Sequence, residues 1–396
     1  MALTITIPDG DVQLTGNAVR VEIAGGSAPG GSEEYKLLLK IISTDSKLFG
    51  GPFIDAITPD STGKSVFDIS GYVDQPVTAV FQWPLSGVVK DYATQAFNIS
   101  LEAGERYIDS NDDLVETWSG VTDTMQLLKG GISPRQVAAL RDAGSNFYEK
   151  YILGGKWLTA RPWGDFVHPT QPVKMWFLPA SEATTNFRVK GYYNDGSTDT
   201  ADTEVTLDPD KLYEFNCNPA QNGLELEPTG KRMTHFDVSL VNESETRRFS
   251  FDWRYCERPV FLLFANTFGG VDDVFFSGTL KDGFVTQGEI SERTPQQTDT
   301  VFTPTLLNLS RTGQNKWVVN TGFKDIPTLQ FYRDLLVSKQ AWYLYRNITQ
   351  TSTNVIPVII DPADITLFDR GNDLYEMEIS FSEAHVSRHS FDNRIF

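Results

Sequence analysis

The sequence predicts a mainly β protein of several domains, and three observations predict it. The chain of 396 residues carries 26 Phe, 14 Tyr and 8 Trp, side chains that suit a pleated, half-buried surface. Its 31 Gly and 20 Pro are scattered along the whole length, as turn punctuation is, instead of gathering in one tract. Between those turns lie short apolar or alternating runs, far more often than patterns of helical period.

Residues 3–9 (LTITIPD) alternate apolar and polar with period two, the pattern of a half-buried strand. Residues 35–43 (YKLLLKIIS) read as a buried strand, and 65–69, 77–83 and 96–101 as further short strands. Together they predict a β-sandwich over 1–125. A helix is predicted from Ser133, with Ser133 as N-cap, Pro134 at the first helical position, and Val137, Leu140, Phe147 and Tyr151 near helical spacing. Gly144 interrupts that pattern at a cost of about 1 kcal/mol relative to Ala. This segment, 126–165, is expected to be a helical connector.

Strand candidates then follow at 173–178, 187–193, 204–207, 211–216, 235–241, 247–255 and 260–265, with Asn194-Asp195-Gly196 as a strong turn signal. Seven short strands in roughly 115 residues predict an immunoglobulin-like β-sandwich over 166–285. The remainder, 286–396, reads as an α+β domain. Its helix at 328–338 places Leu329, Tyr332, Leu335 and Leu336 on one face. Strands are expected at 341–345, 355–360 and 374–381, and in the last of these Tyr375, Met377, Ile379 and Phe381 form the buried side. Pro357 suits an edge strand or a strand start.

The formal net charge is −18, from 52 acidic and 34 basic residues. A surface of that sign repels a phosphate backbone and an anionic membrane, so neither nucleic-acid binding nor membrane docking is expected. No stretch of about 18 apolar residues predicts a membrane-spanning helix, and the N-terminus lacks a basic region followed by a sustained apolar one. The two cysteines, Cys217 and Cys256, are too few for a disulfide framework or a four-ligand zinc site. They either face each other across adjacent strands or stay as buried free thiols.

Catalytic signatures fail one by one. There is no G-x-S-x-G elbow, no H-E-x-x-H and no phosphate-binding Gly-rich loop. His385 and His389 stand four apart, but the pattern before them is a strand's, so a solvated tail is expected and not a metal site. The acidic clusters at 109–113 and at Asp195-Gly196 lack the ordered ligand alternation of a calcium loop and read as solvated turns. Trp83, Trp118, Trp157 and Trp163 would make a sugar-stacking platform if exposed together, although aromatics at strand spacing are more often core. No cofactor, metal ligand or catalytic residue is assigned.

Several segments, in order, resemble tail structural proteins encoded by phages and prophages of Bacteroidetes bacteria. Val66-Phe67-Asp68-Ile69-Ser70 matches an early motif of that family. The aromatic-rich run from Phe261 to Phe264, followed by Asn266, Gly269-Gly270 and Asp272, matches a strand and its loop, with Val271 where the family carries an aromatic. Leu335-Leu336-Val337-Ser338 with Trp342-Tyr343-Leu344, then residues 356–360 (IPVII), then residues 373–381 (DLYEMEISF), complete the series.

The resemblance implies a non-enzymatic structural component of a phage tail, in the distal tail, baseplate or hub region. It implies assembly with other tail or baseplate proteins and residence in the virion tail after synthesis in the host cytoplasm; a homo-oligomeric ring, or binding around one, is expected from the closed point groups usual in assemblies. A host-glycan or receptor-binding tail protein is the alternative. A capsid decoration protein and a polysaccharide depolymerase are further options. On this reading Asn266, Gly269, Gly270 and Asp272 are the loop and interface candidates. The glycines would permit positive φ, and Asn266 and Asp272 would cap the loop by bonding its amides. The segments 24–33 and 282–304 are expected to be arms that order on assembly.

Overall fold

Alternation of apolar and polar residues becomes sheet throughout the computed structural model of the chain. The described residues run from 3 to 388, apart from 9, 29, 31–32, 44–50, 75, 78, 80, 82, 84–86, 93–96, 210, 293–305, 347–352, 362–374 and 386. The chain divides into two units, one of residues 1–251 and 265–272, the other of residues 252–264 and 273–396. Among the described residues no helix is long and apolar enough to cross a membrane.

In chain order the first unit contains β1 (Thr4–Thr6), β2 (Val12–Leu14), β3 (Arg20–Ala24), β4 (Glu33–Ser43), β5 (Phe53–Ile57), β6 (Ser65–Asp68), α1 (Ser70–Val73), β7 (Val89–Tyr92), β8 (Phe97–Ile108) and β9 (Leu114–Leu128). It continues with α2 (Pro134–Asp142), β10 (Asp165–Val167), β11 (Lys174–Phe177), β12 (Ala183–Tyr193), β13 (Thr198–Leu207), β14 (Leu212–Asn216), β15 (Met233–Leu240) and β16 (Arg247–Phe251). Strands β1-β3-β6 form one sheet and β2-β9-β8-β4-β5 another. They share a single apolar core. Val21, Ile23 and Phe67 of the smaller sheet pack with Leu37, Leu39, Ile41, Ile99, Leu101, Met125 and Leu127 of the larger. Of residues 77–83, read as a strand in the sequence, the described 77, 79, 81 and 83 lie outside any strand.

A second pair of sheets follows, β10-β16-β15-β12-β13 and β11-β14-β7. They meet through Phe187 of β12 and Phe215 of β14, whose ring centroids lie 4.8 Å apart, with Trp157 edge-on to Phe215 at 5.5 Å. Burying each such aromatic contributes roughly 1.5–3 kcal/mol. Strand β7 comes from the part of the sequence read as the first domain, yet it pairs with β14 of this second sandwich. Short local runs carry no signal for such long-range pairing.

The helix predicted from Ser133 forms with the expected cap. The Ser133 hydroxyl accepts from the Gln136 amide, the Gln136 side chain returns a bond to the Ser133 amide, and Pro134 is the first residue. It is shorter than the periodicity suggested, because Gly144 takes φ +67° and turns the chain. Of the remaining apolar positions, Tyr151 lies in a separate π-helical turn, Tyr148–Leu153, and Phe147 directly precedes it.

The second unit is built on one eight-stranded sheet, of whose strands Ala265, Val271 and Asp272 alone fall in the first unit. Its strands are β17 (Val260–Ala265), β18 (Val271–Phe276), β19 (Leu280–Glu292), β20 (Leu306–Asn320), β21 (Ala341–Arg346), β22 (Thr353–Ile360), β23 (Glu378–Glu383) and β24 (Ser387–Arg388), with α3 (Ile326–Val337) between β20 and β21. The order is β18-β17-β21-β22-β23-β20-β19, and β24 lies beside β20. As the alternation predicts, Met377, Ile379 and Phe381 are buried, while Tyr375 is half-buried. Asp325 caps α3 by accepting from the Thr328 amide, and Leu329, Tyr332 and Leu335 face inward with Phe331. Residues 282–292, expected as part of an ordering arm, are strand β19, paired with β20 along its whole length. The rest of that expected arm, 293–304, and residues 29 and 31–32 of the other lie outside the described residues, as do Asp373, Leu374 and His389.

Candidate functional site

The loop Asn266–Asp272 is the best-built polar feature among the residues singled out by sequence, and it is buried. Asn266 is 2% exposed and Asp272 0%. The Asn266 Oδ1 accepts from the amides of Phe268 and Gly270, both at 2.9 Å. Its Nδ2 donates to the Leu158 carbonyl at 2.8 Å and to Asp272 Oδ2 at 2.9 Å. Asn266 Oδ1 therefore holds two of the loop's amides.

Asp272 does something different. Its carboxylate accepts from Thr159 Oγ1 at 2.9 Å and lies 3.8 Å from the Arg161 guanidinium, which also pairs with Asp165. All these groups belong to the first unit. Their partners lie 100 or so residues away in sequence, the kind of contact that a loop motif read by itself cannot show.

The two glycines also differ from each other. Gly269 takes φ +95°, and a Cβ there would come within 2.7 Å of Leu128 Cβ. Gly270 does not share the positive φ. It is needed for space, since a Cβ would lie 2.8 Å from Trp176 Cγ and 2.9 Å from the Leu158 carbonyl. Trp176 Nε1 in turn donates to the Val271 carbonyl at 2.7 Å. The four loop candidates thus serve as an internal clasp of the chain, with their polar atoms directed at its own backbone and side chains.

Surfaces that can meet a partner lie elsewhere. Among the described residues β19 ends the eight-stranded sheet, and its residues 281–288 are exposed on both faces. Phe284 is 58% exposed, and its ring lies over Gly313 of β20. Val285, on the opposite face, is 42% exposed. The six residues from Gly283 to Gly288 carry no charge. The edge strand β13 of the first unit is the contrast, because it carries Asp199, Asp202 and Glu204 among threonines.

The four tryptophans considered as a platform are distributed through the first unit. Trp157 is core, donating its Nε1 to the Glu245 carbonyl. Trp83 and Trp118 are half-buried beneath Lys174 and Lys40. Trp163 alone of the four is exposed, with the Arg248 guanidinium 5.9 Å from its ring. Arg248 also forms two bonds to Asp237, which accepts from the Tyr192 hydroxyl, and Tyr192 stacks on His235 at 4.5 Å. Burial and the neighbouring Arg248 push the His235 pKa down. Burial pushes the Asp237 carboxyl up, but the bonds from Arg248 and Tyr192 outweigh it and leave the carboxyl below its ordinary value.

Asp109 and Asp195, considered for calcium, spend their carboxylates on their own turns. Asp109 accepts from the amides of Asn111 and Asp113, and Asp195 from the amide and hydroxyl of Ser197. Both cysteines are free thiols. Cys217 is buried directly after β14, and Cys256 is half-buried in the second unit.

The fold is that of a mainly β protein with several sheets. No protein-family model matches the chain, and no curated protein matches it either. Among solved structures it is similar to a chain of the tail of an empty GTA particle refined with C6 helical symmetry. That match has 15% identity and a TM-score of 0.22, over 33% of this chain and 96% of the other. A marsupial T cell receptor matches at 10% identity and a TM-score of 0.19, over 80% and 96% of the two chains. A Salmonella α2-macroglobulin reacted with methylamine matches at 9% and 0.20, over 81% of this chain and 25% of that one.

Proposed function

We propose that the chain is a non-enzymatic structural component of a phage tail, placed in the distal tail, baseplate or hub region. In this reading it assembles with other tail or baseplate proteins, forms a homo-oligomeric ring and resides in the virion. The ordered motifs from Val66-Phe67-Asp68-Ile69-Ser70 to residues 373–381 support the family and its Bacteroidetes association.

The observation that carries the assembly is the edge of β19. An edge strand presents unpaired amides and carbonyls, and a monomer blunts it with charge, proline or a short length. Strand β19 runs for 13 residues and displays Phe284 and Val285 in an uncharged stretch. Such an edge is suited to addition of a strand from another subunit, with backbone bonds giving affinity and alternate side chains giving register. A closed ring follows when one interface repeats around a rotation axis.

The test is the mass of the full-length chain in solution by light scattering across concentration, with negative-stain images of the same sample. A closed oligomer is expected for the wild type, and the double variant Phe284→Lys, Val285→Lys is expected to shift it toward monomer without lowering the thermal midpoint. A wild type that stays monomeric at every concentration refutes assembly through this edge.

A further inference from the structure

Strands β11 and β14 pair antiparallel, with Trp176 opposite Glu214 and Lys174 opposite Asn216. One face of this sheet, carrying Met175, Phe177, Tyr213 and Phe215, packs toward the five-stranded partner sheet. The other face holds Lys174, Trp176 and Glu214, and it is buried as well. The side chains of Lys174 and Glu214 are 2% and 0% exposed. Phe81 and Trp83 lie over the Lys174 ammonium, with ring centroids at 5.3 and 5.4 Å. The rings of Trp176 and Tyr92 lie 5.4 Å apart. Lys174 Nζ meets Glu214 Oε1, and the Tyr92 hydroxyl from β7 donates to Glu214 Oε2.

We propose that Lys174 and Glu214 condense to an amide, a covalent cross-link between β11 and β14. Nζ attacks Cδ of Glu214, one bond from the oxygen it already touches. Of the three ammonium protons, one stays on the amide nitrogen and two pass to Oε1, which leaves as water. Oε2 becomes the amide carbonyl oxygen, and the Tyr92 hydroxyl stabilises the charge that develops on it during attack. No oxidant or co-reactant is required.

The fold favours the step in two ways. Holding amine and carboxyl in contact inside a packed sheet replaces a bimolecular encounter, an advantage worth effective concentrations of roughly 10⁵–10⁸ M in well-oriented systems. The amide also removes two charges from an aromatic interior, where a buried ion pair recovers its desolvation cost only with excellent geometry.

The experiment is intact mass spectrometry of the purified full-length chain under denaturing conditions, followed by proteolysis. The wild type is expected to be lighter than its sequence by one water and to yield a branched peptide joining Lys174 to Glu214. Lys174→Met is expected at its full sequence mass. Tyr92→Phe keeps the pair buried but removes the hydroxyl, so a fraction at full mass, with an unchanged circular dichroism spectrum, is expected. A wild type at full sequence mass overturns the cross-link whatever the variants do, and complete cross-linking in Tyr92→Phe overturns the part given to Tyr92. Because the readout is a covalent mass, it stands apart from whether the chain assembles.

Discussion

Replacing Asn266 tests whether the 266–272 loop is an internal clasp. Asn266→Ala removes four hydrogen bonds at once, leaving the Phe268 and Gly270 amides, the Leu158 carbonyl and one Asp272 oxygen without that partner in a buried site. An unsatisfied buried polar group costs about 1–3 kcal/mol, and partial relaxation and water entry reduce the sum. A loss of about 3 kcal/mol is therefore expected. Asn266→Asp is the sharper variant, since it has nearly the same shape. It keeps the acceptor for the two amides but sets a second carboxylate oxygen against the Leu158 carbonyl and Asp272 Oδ2. A like-charge contact in a buried site costs more than an empty one. The aspartate is thus expected to destabilise at least as much as the alanine at neutral pH. The assay is urea unfolding of the full-length chain followed by tryptophan fluorescence, with attention to the transition reported by the buried Trp157 and Trp176. A loss under about 1 kcal/mol for Asn266→Ala, or a milder effect for Asn266→Asp, would refute the clasp.

Two further outcomes follow from the same unit. Gly269→Ala combines a left-handed backbone with a Cβ 2.7 Å from Leu128 Cβ, so a loss of about 2 kcal/mol is expected in the same unfolding assay, and a neutral result would sink the requirement for glycine there. Acid should weaken the first unit in two stages. His235 and Asp237 both have pKa values lowered by folding, so the unfolded chain binds their protons more readily. Their stabilisation is present above the ordinary values of 6.5 and 3.8 and is lost as pH falls through the lowered ones. Thermal midpoints measured against pH should show both limbs, and His235→Gln should remove the one just below pH 6.5. An unchanged slope there in the variant contradicts the assignment.

How much was legible in the sequence depends on the range of the interaction. The alternation of Ile379 and Phe381, continued by Met377 just before the strand, gave the buried face of β23 directly, because side-chain direction in a strand is a two-residue property. The Ser133 cap and its Pro134 were equally local. Strand β7 was not legible, because what makes residues 89–92 a strand is the edge of β14, far along the chain. The arm expected at 282–304 failed over 282–292 for a related reason. The glycines at 283 and 288 read as loop, while the pairing with β20 holds them extended. The role of Asp272 was hidden likewise, since Thr159 and Arg161 reach it from a hundred residues away.

Two of the sheet edges, β13 and β19, can be set against each other as a physical argument about assembly. Strand β13 is 10 residues long, and its outer positions are acidic or threonine, with Arg188 of the neighbouring strand paired to Asp202. That is how an edge is kept from pairing with another chain: approach of a second acidic strand is repelled, and the polar side chains stay hydrated. Strand β19 is longer and has charge only toward its ends, at Lys281, Asp282, Glu289 and Glu292. In the proposed assembly, a net charge of −18 disfavours unspecific self-association, and an uncharged apolar stretch of edge gains contrast as a place for a specific contact. Side-chain alternation then selects register, because a shift of one residue exchanges the faces on which Phe284 and Val285 lie. Introducing two lysines at those positions converts β19 into the kind of edge β13 already is, which is why that single double variant separates assembly through the sheet from assembly through any other surface.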